Sequence, residues 1–234
     1  MSGDGPLRAF YLNADGSAQS IFHVWEEGKA KGDSVTPSTY SAAYRRWMVE
    51  RLRELLAEHA SPALLGLGCG NAAVEAELAA AGHLVLGVDM LDEAVALARA
   101  KGVDAVCADV LTWTPPARPW PVIYADGLLG HLHQPGAGVH VALRRFRSWL
   151  PAQGGTLLIS NDGPRTDAEV ESHPEVPGFA WMSSAYLCRQ AKECGFDDVS
   201  SCVFTYRRPT SGPRERVIVT ARTGERRLGR AWDS

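Results

Sequence analysis

Short apolar runs that alternate with helix-length segments constrain the fold of this chain more than any other feature. The apolar runs span residues 63–67, 84–88, 104–108, 122–126 and 156–160. Nearly every position in them is apolar, which is typical of strands that are buried on both faces of a parallel sheet. Strand and helix in repeated alternation predict a parallel sheet joined by right-handed crossovers.

The segments between these runs carry helix start and stop signals. Helices are predicted at 71–81, 91–101, 138–150 and 184–195. In the second, Asp92 and Glu93 lie at the positive end of the helix dipole and Arg99 lies at its negative end. For the helix at 71–81, Asn71 is the predicted N-cap.

The two ends of the chain depart from this alternation. Strands at 199–207 and 214–222 are joined by a six-residue Pro- and Gly-containing link with no helix, which predicts an antiparallel hairpin. Residues 38–59 read as one amphipathic helix. We therefore predict a doubly wound, seven-stranded, mostly parallel α/β sheet with an antiparallel C-terminal strand and an N-terminal helical cap.

The predicted organisation has three parts. An N-terminal arm and cap helix occupy residues 1–60, the domain that contains the sheet occupies 61–223, and a C-terminal tail occupies 224–234.

Composition narrows the function further. The chain has 234 residues, a net charge of −3 and no run of 18 apolar residues, so neither a nucleic-acid-binding protein nor a membrane span is expected. Eight arginines crowd the last 28 residues, and we interpret them as a solvated hairpin and tail. The odd count of five cysteines, without a CxxC pair, predicts a cytoplasmic protein with no metal site.

A glycine-rich turn follows the first predicted strand. Gly66, Gly68 and Gly70 lead from that strand into a helix, which lets a ligand approach the backbone. Asp89 ends the second strand, 19 residues after Gly70, where a carboxylate can accept both hydroxyls of a ribose. A dinucleotide fingerprint GxGxxG is not matched, and no Tyr-x-x-x-Lys pair is present, which disfavours a nicotinamide enzyme.

Further motifs follow the glycine turn at residues 85–90, 106–110, 122–127, 150–159 and 191–196. In this order they resemble the motifs of the class I S-adenosylmethionine-dependent methyltransferases, and the resemblance covers residues 60–222. The resemblance implies S-adenosylmethionine as the cofactor, and it implies cofactor-binding roles for motif residues. These are Gly66, Gly68, Cys69 and Gly70 in the glycine turn, Asp89 and Met90 at the ribose, Asp109 and Val110 at the adenine, and Asp126 at the reaction site.

Two positions depart from the pattern of this class. Its members usually carry Asp or Glu where this chain has Gly66, and commonly a third glycine where it has Ala72. The acidic residue helps to hold the ammonium group of the methionine part. Backbone carbonyls near Gly66 and Gly68, together with Asp126, are predicted to replace it here.

Candidate catalytic residues follow the fourth strand. They are His131, the preferred base, with Asp126 and His133, because ligands bind at the carboxyl ends of the strands and an imidazole accepts protons near neutral pH. Substrate contacts are predicted for Tyr40, Tyr44, His131 and Asp162, in a pocket suited to a polar or cationic molecule. The loop at 162–181 is predicted to form part of its roof.

The sequence thus predicts methyl transfer to an oxygen or nitrogen atom of a small molecule, for example a secondary metabolite. An RNA or protein methyltransferase and a non-catalytic cofactor-binding homologue remain as alternatives. The chain is expected to act as a monomer or a homodimer.

Overall fold

A computed structural model describes residues 4–12 and 20–224 of the chain. Of the predicted tail, only Gly224 belongs to this part. Arg226, Arg227 and Arg230, which contributed to the prediction of a solvated tail, lie outside the described residues.

Seven of the strands in the described part form one sheet, in the order β3-β2-β1-β4-β5-β9-β8. Their bounds, together with those of the small hairpin β6–β7, are β1 (Ala63–Leu67), β2 (Leu84–Asp89), β3 (Asp104–Cys107), β4 (Val122–Asp126), β5 (Thr156–Asp162), β6 (Val170–Ser172), β7 (Ala180–Met182), β8 (Asp198–Arg208) and β9 (Gly212–Arg222). Strands β1 to β5 run parallel, whereas β9 is antiparallel to both β5 and β8. The predicted fold class, including its antiparallel end, is confirmed.

Helices cover both faces of the sheet. Their bounds are α1 (Asp4–Leu12), α2 (Ile21–Glu26), α3 (Pro37–Tyr40), α4 (Ala42–Ala57), α5 (Ala73–Ala80), α6 (Asp92–Ala100), α7 (Leu128–Leu132), α8 (His140–Trp149) and α9 (Ser184–Glu193). Strand β4 shows why both faces are apolar. Ile123 packs in the core formed with α8 and α9, while its neighbour Val122 packs in the core formed with α4, α5 and α6.

The predicted N-terminal helix is interrupted at Ser41. This residue is extended, with φ −113° and ψ 101°, and its hydroxyl accepts the backbone N–H of Tyr44 at 3.2 Å. The chain therefore ends α3 and begins α4 with a separate N-cap, because a serine side chain satisfies one of the free N–H groups of the new helix.

The prediction that Asn71 caps the next helix is wrong. Helix α5 begins after Ala72, which has a left-handed backbone with φ 52°. The side chain of Asn71 instead donates a hydrogen bond to Glu26 at 2.9 Å. The glycine turn thus extends two residues further than expected, and Asn71 joins it to α2.

The segment predicted as a long roof loop contains the β6–β7 hairpin. Its residues 173 and 176–179 nevertheless line the cavity at the sheet edge. Within the described residues, no helix combines the length and apolarity required to cross a membrane.

Candidate active site

A cavity of about 450 Å³ opens at the carboxyl edge of the parallel strands. Its floor is formed by the glycine turn and by the ends of β2 and β4. Segments from outside the sheet flank it, namely α1, α2, residues 34–38 and residues 173–179. Tyr11, Phe22 and Trp25 place their aromatic rings in this wall.

The glycine turn is tied to the end of β2 by Asp89. The carboxylate of Asp89 accepts the backbone N–H of Gly70 at 2.9 Å and that of Leu91 at 3.0 Å. Gly68 and Gly70 have φ of 61° and 52°, the region that favours glycine. Asp89 lines the cavity and burial raises its pKa. Each of its oxygens keeps a lone pair for a hydroxyl donor.

The third strand contributes the next part of the wall. Asp109 and Val110 both line the cavity, as Cys69 and Met90 do. The Asp109 carboxylate accepts the N–H of Leu111 at 2.8 Å, which fixes the turn after β3. These predicted cofactor contacts are therefore brought together around one cavity.

Gly66 is the exception among the predicted cofactor contacts, because it does not belong to the cavity wall. A Cβ atom at this position would lie 2.7 Å from Oε1 of Glu75. Glu75 itself lines the cavity, is only 4% exposed, and has its pKa raised to about 8 by burial. The sequence analysis missed Glu75, because its proximity to Gly66 is visible only in the folded structure.

Asp126 faces the cavity as a carboxylate that is already well coordinated. It accepts hydrogen bonds from Arg216, from Ser160, from Tyr44 at 3.3 Å and from Tyr124 at 3.2 Å. Four side chains of the protein thus hold the Asp126 carboxyl group in place at the cavity wall.

His131 lies at the cavity wall between α1 and the 173–179 segment. Its Nε2 shares a 2.8 Å hydrogen bond with the hydroxyl of Tyr11, and its ring packs edge-on against Phe179 at 4.6 Å. Burial lowers its pKa to about 4, so the ring is neutral at pH 7. Its Nδ1 is buried and has no hydrogen-bond partner among the described residues.

Four other predicted site residues lie outside this cavity wall. His133 lines a separate, smaller cavity formed with residues 172–180. Tyr44 is fully buried beneath Asp126, and Tyr40 is half-buried in α3. Asp162 is fully buried and binds the hydroxyl of Tyr206. Their order along the chain placed them near the sheet edge, but packing turns them away from the cavity.

Arginines of the C-terminal hairpin surround Asp162, one of the predicted substrate-binding residues. Arg208, Arg214 and Arg216 are buried and surround Asp162, with Arg216 Nη1 at 3.1 Å from its carboxylate. Arg208 and Arg216 also reach the cavity. The expectation of a solvated hairpin is wrong for these three arginines, because strand alternation turns them inward.

The charge of this wall also acts on His173. Burial lowers the pKa of His173 to about 4, with smaller contributions from Arg208 and Arg165. The sequence reasoning had no signal for His173, since it lies in a segment without a motif.

Comparisons with known proteins agree with this geometry. A family model described as a methyltransferase domain matches residues 40–201. A tabtoxin biosynthesis enzyme of Pseudomonas amygdali pv. tabaci is 42% identical over 207 residues, which cover 88% of this chain and 81% of that relative.

Solved structures share the fold at low sequence identity. The CcbJ methyltransferase of Streptomyces caelestis has a TM-score of 0.62 at 18% identity, covering 88% of this chain and 96% of the other. A 1,6-didemethyltoxoflavin N1-methyltransferase of Burkholderia thailandensis, solved with S-adenosylhomocysteine, has a TM-score of 0.56 at 21% identity, covering 84% and 94%.

Proposed function

This chain belongs to the class I S-adenosylmethionine-dependent methyltransferases, and from that premise we propose that it methylates an oxygen or nitrogen atom of a small molecule. The matched family model and the 42% identical relative confirm the resemblance seen in the motifs. The acceptor that we infer is a precursor or product of secondary metabolism.

The cavity fits S-adenosylmethionine by the chemistry of its wall. Asp89 offers acceptor oxygens for the ribose hydroxyls, and residues 109–111 offer a polar and apolar edge for the adenine. When bound, the cofactor supplies an electrophilic methyl group on its sulfonium. The work left to the protein is to hold the acceptor in line and to exclude water.

The flanking segments support a small acceptor. Helix α1, residues 34–38 and residues 173–179 all contribute side chains to the wall of a cavity of about 450 Å³, a size typical of small-molecule sites. The names of two similar proteins also refer to small molecules. One is an enzyme of tabtoxin biosynthesis, and the other is an N1-methyltransferase of 1,6-didemethyltoxoflavin.

The acceptor side of the cavity favours an anionic group. Arg208 and Arg216 reach the cavity, while Asp162 lies behind them and Asp126 is bonded to Arg216. A guanidinium pairs well with a carboxylate or phosphate. We therefore infer that the acceptor carries a carboxylate or phosphate group.

His131 is the side chain that we assign to proton acceptance. Its ring is neutral at pH 7 and its Nδ1 has no partner among the described residues. A pKa near 4 makes it a weak base, which suits a nucleophile that gives up its proton easily. His133 is not part of this proposal, because it faces the smaller cavity.

The cofactor part of the proposal is tested with Asp89→Ala. Loss of hydrogen bonds to a charged group costs about 1.5–3 kcal/mol, so we expect the affinity for S-adenosylhomocysteine to fall roughly 10- to 100-fold by calorimetry. Asp104→Ala is the matched control, because Asp104 is exposed at the opposite end of the neighbouring strand β3. Equal affinity of the Asp89 variant and the wild type would remove the ribose assignment.

The acceptor class is tested by methyl transfer itself. The enzyme is incubated with methyl-labelled S-adenosylmethionine and separated small-molecule, RNA and protein fractions of a bacterial extract. We expect label in the small-molecule fraction, in compounds that bind an anion-exchange resin. Label in RNA or protein would contradict the proposal, and binding without any transfer would favour a non-catalytic homologue.

A further inference from the structure

Glu75 is a buried carboxyl group at the cavity wall. It lies in the first turn of α5, is 4% exposed and belongs to the cavity wall. It has no ion-pair partner among the residues that the structure describes. A buried carboxylate without a partner is costly, so Glu75 can ionise here only if a ligand brings a positively charged group.

The absence of a side chain at residue 66 makes room for Glu75. A Cβ atom built on Gly66 would lie 2.7 Å from Oε1 and 3.0 Å from Cγ of Glu75. The carboxyl group therefore occupies the volume into which a side chain from β1 would project. Glycine at 66 and glutamate at 75 form a matched pair, one on the strand and one on the helix that follows it.

The neighbouring charged groups are already satisfied within the protein. Asp126 is paired with Arg216, and Asp89 accepts two backbone N–H groups. Lys101 is engaged by Glu26 at 2.5 Å and by the carbonyl of Asn71 at 2.6 Å. Glu75 is thus the carboxyl of this cavity floor that remains available to a cationic ligand.

We propose that Glu75 holds the ammonium group of the cofactor's methionine part. This assignment rests on the proposed function, which supplies a ligand with one ammonium group and a ribose that Asp89 can bind. It replaces the expectation that backbone carbonyls with Asp126 serve this purpose, because Asp126 already accepts four hydrogen bonds.

Binding is expected to change the protonation of Glu75. Burial raises its pKa to about 8, so the carboxyl is mostly protonated at pH 7 in the free protein. An ammonium group at hydrogen-bond distance favours the ionised form. The acid proton of Glu75 then leaves to the buffer, and a carboxylate–ammonium pair remains in the cavity.

The first experiment compares two ligands on two proteins by calorimetry. S-adenosylhomocysteine carries the ammonium group, whereas 5′-methylthioadenosine has the same nucleoside and sulfur without the amino-acid part. We expect Glu75→Gln to weaken S-adenosylhomocysteine about 10-fold or more and to change methylthioadenosine less than about 2-fold. Glu77→Gln is the matched control, because Glu77 lies on the same helix but is exposed and pairs with Arg45.

The second experiment needs no variant that might misfold. Calorimetry of the wild type at pH 7 in buffers of different ionisation enthalpy counts the protons released on binding. We expect about one proton for S-adenosylhomocysteine and none for methylthioadenosine, since the pKa of Glu75 is about 8. Glu75→Gln is expected to abolish the difference between the two ligands.

The third experiment places a carboxyl group at residue 66 on β1 and removes the one at residue 75. The double variant Gly66→Asp with Glu75→Ala removes the overlap at residue 66 and is expected to recover part of the lost affinity for S-adenosylhomocysteine. Unchanged affinity in Glu75→Gln, with equal proton release for both ligands, would overturn the assignment. Failure of the wild type to bind either ligand would overturn the proposed function and this assignment together.

Discussion

At the scale of single residues, burial decides the protonation of the side chains around the cavity. Removal of water disfavours the charged form, so the same cavity keeps a proton on Glu75 and removes one from His131. Asp126, on the same wall, accepts hydrogen bonds from four side chains. Three side chains of one wall thus have three different surroundings.

The role of His131 is tested by His131→Gln. If His131 accepts the acceptor's proton, turnover is expected to fall by about 10²-fold or more, while affinity for S-adenosylhomocysteine stays within about 2-fold. His133→Gln is the control, because His133 lies two residues away and faces the other cavity. Full turnover in the His131 variant would contradict its role as proton acceptor and would mean that the enzyme needs only to position the acceptor and the cofactor.

The pH dependence gives the same hypothesis a second measurement. The pKa of His131 is about 4, below the usual 6.5. The ring therefore becomes protonated, and unable to accept another proton, only as the pH falls towards 4. We expect no loss of kcat/KM attributable to His131 between about pH 6 and pH 8. An acid limb centred near 6.5 that disappears in His131→Gln would contradict its burial.

At the scale of elements, the entry into α5 shows how a strand-to-helix turn positions a site. Three residues of this turn have left-handed backbones, Gly68, Gly70 and Ala72. Ala72 is the one non-glycine residue with positive φ in the described part of the chain, and it is fully buried. The backbone of Ala72 is therefore strained, at the point where the turn directs the start of α5 and its residue Glu75 towards the cavity.

This strain is measured by comparing Ala72→Gly with Ala76→Gly. Both variants lose one methyl group and make the unfolded chain more flexible. Only Ala72→Gly also removes the strain of an alanine in the left-handed backbone region, which costs about 1 kcal/mol. We expect Ala76→Gly, within α5, to lower the free energy of unfolding by about 1 kcal/mol more than Ala72→Gly does. Equal losses in urea denaturation would show that Ala72 carries no strain.

At the scale of the whole molecule, one buried network connects the sheet to the cap helix below the cavity. Arg216 on β9 binds Asp126 on β4, Asp162 on β5, and Ser160 on β5 at 3.1 Å. Tyr44 of α4 joins through Ser160 at 2.9 Å. These contacts join strands from the parallel and antiparallel parts of the sheet, so the site depends on the C-terminal hairpin.

The network is tested by Arg216→Met. Removal of one partner of a buried ion pair leaves uncompensated carboxylates, which typically costs about 3–5 kcal/mol of unfolding free energy. Arg189→Met is the comparison, because Arg189 pairs with Glu169 at the surface, and we expect this variant to lose much less unfolding free energy than Arg216→Met. Similar losses in chemical denaturation would mean that the buried network adds no stability.

The amino-acid sequence by itself determined the order of strands and helices, the antiparallel end of the sheet, the glycine turn and the carboxylate of Asp89. These features depend on periodicity and on signals within a few residues, which can be read along the chain. The antiparallel end followed from a link of six residues, too short for a crossover.

Only the tertiary structure decided which distant side chains share the cavity. Three contacts show this: Glu75 packs over Gly66, 9 residues apart; Tyr11 binds His131, 120 residues apart; and Arg216 binds Asp126, 90 residues apart. No local sequence pattern relates the two members of any of these pairs. Packing also buried Asp162 among arginines and turned His133 to another cavity. Side-chain direction depends on what neighbouring elements leave open, and that space exists only after the layers have packed.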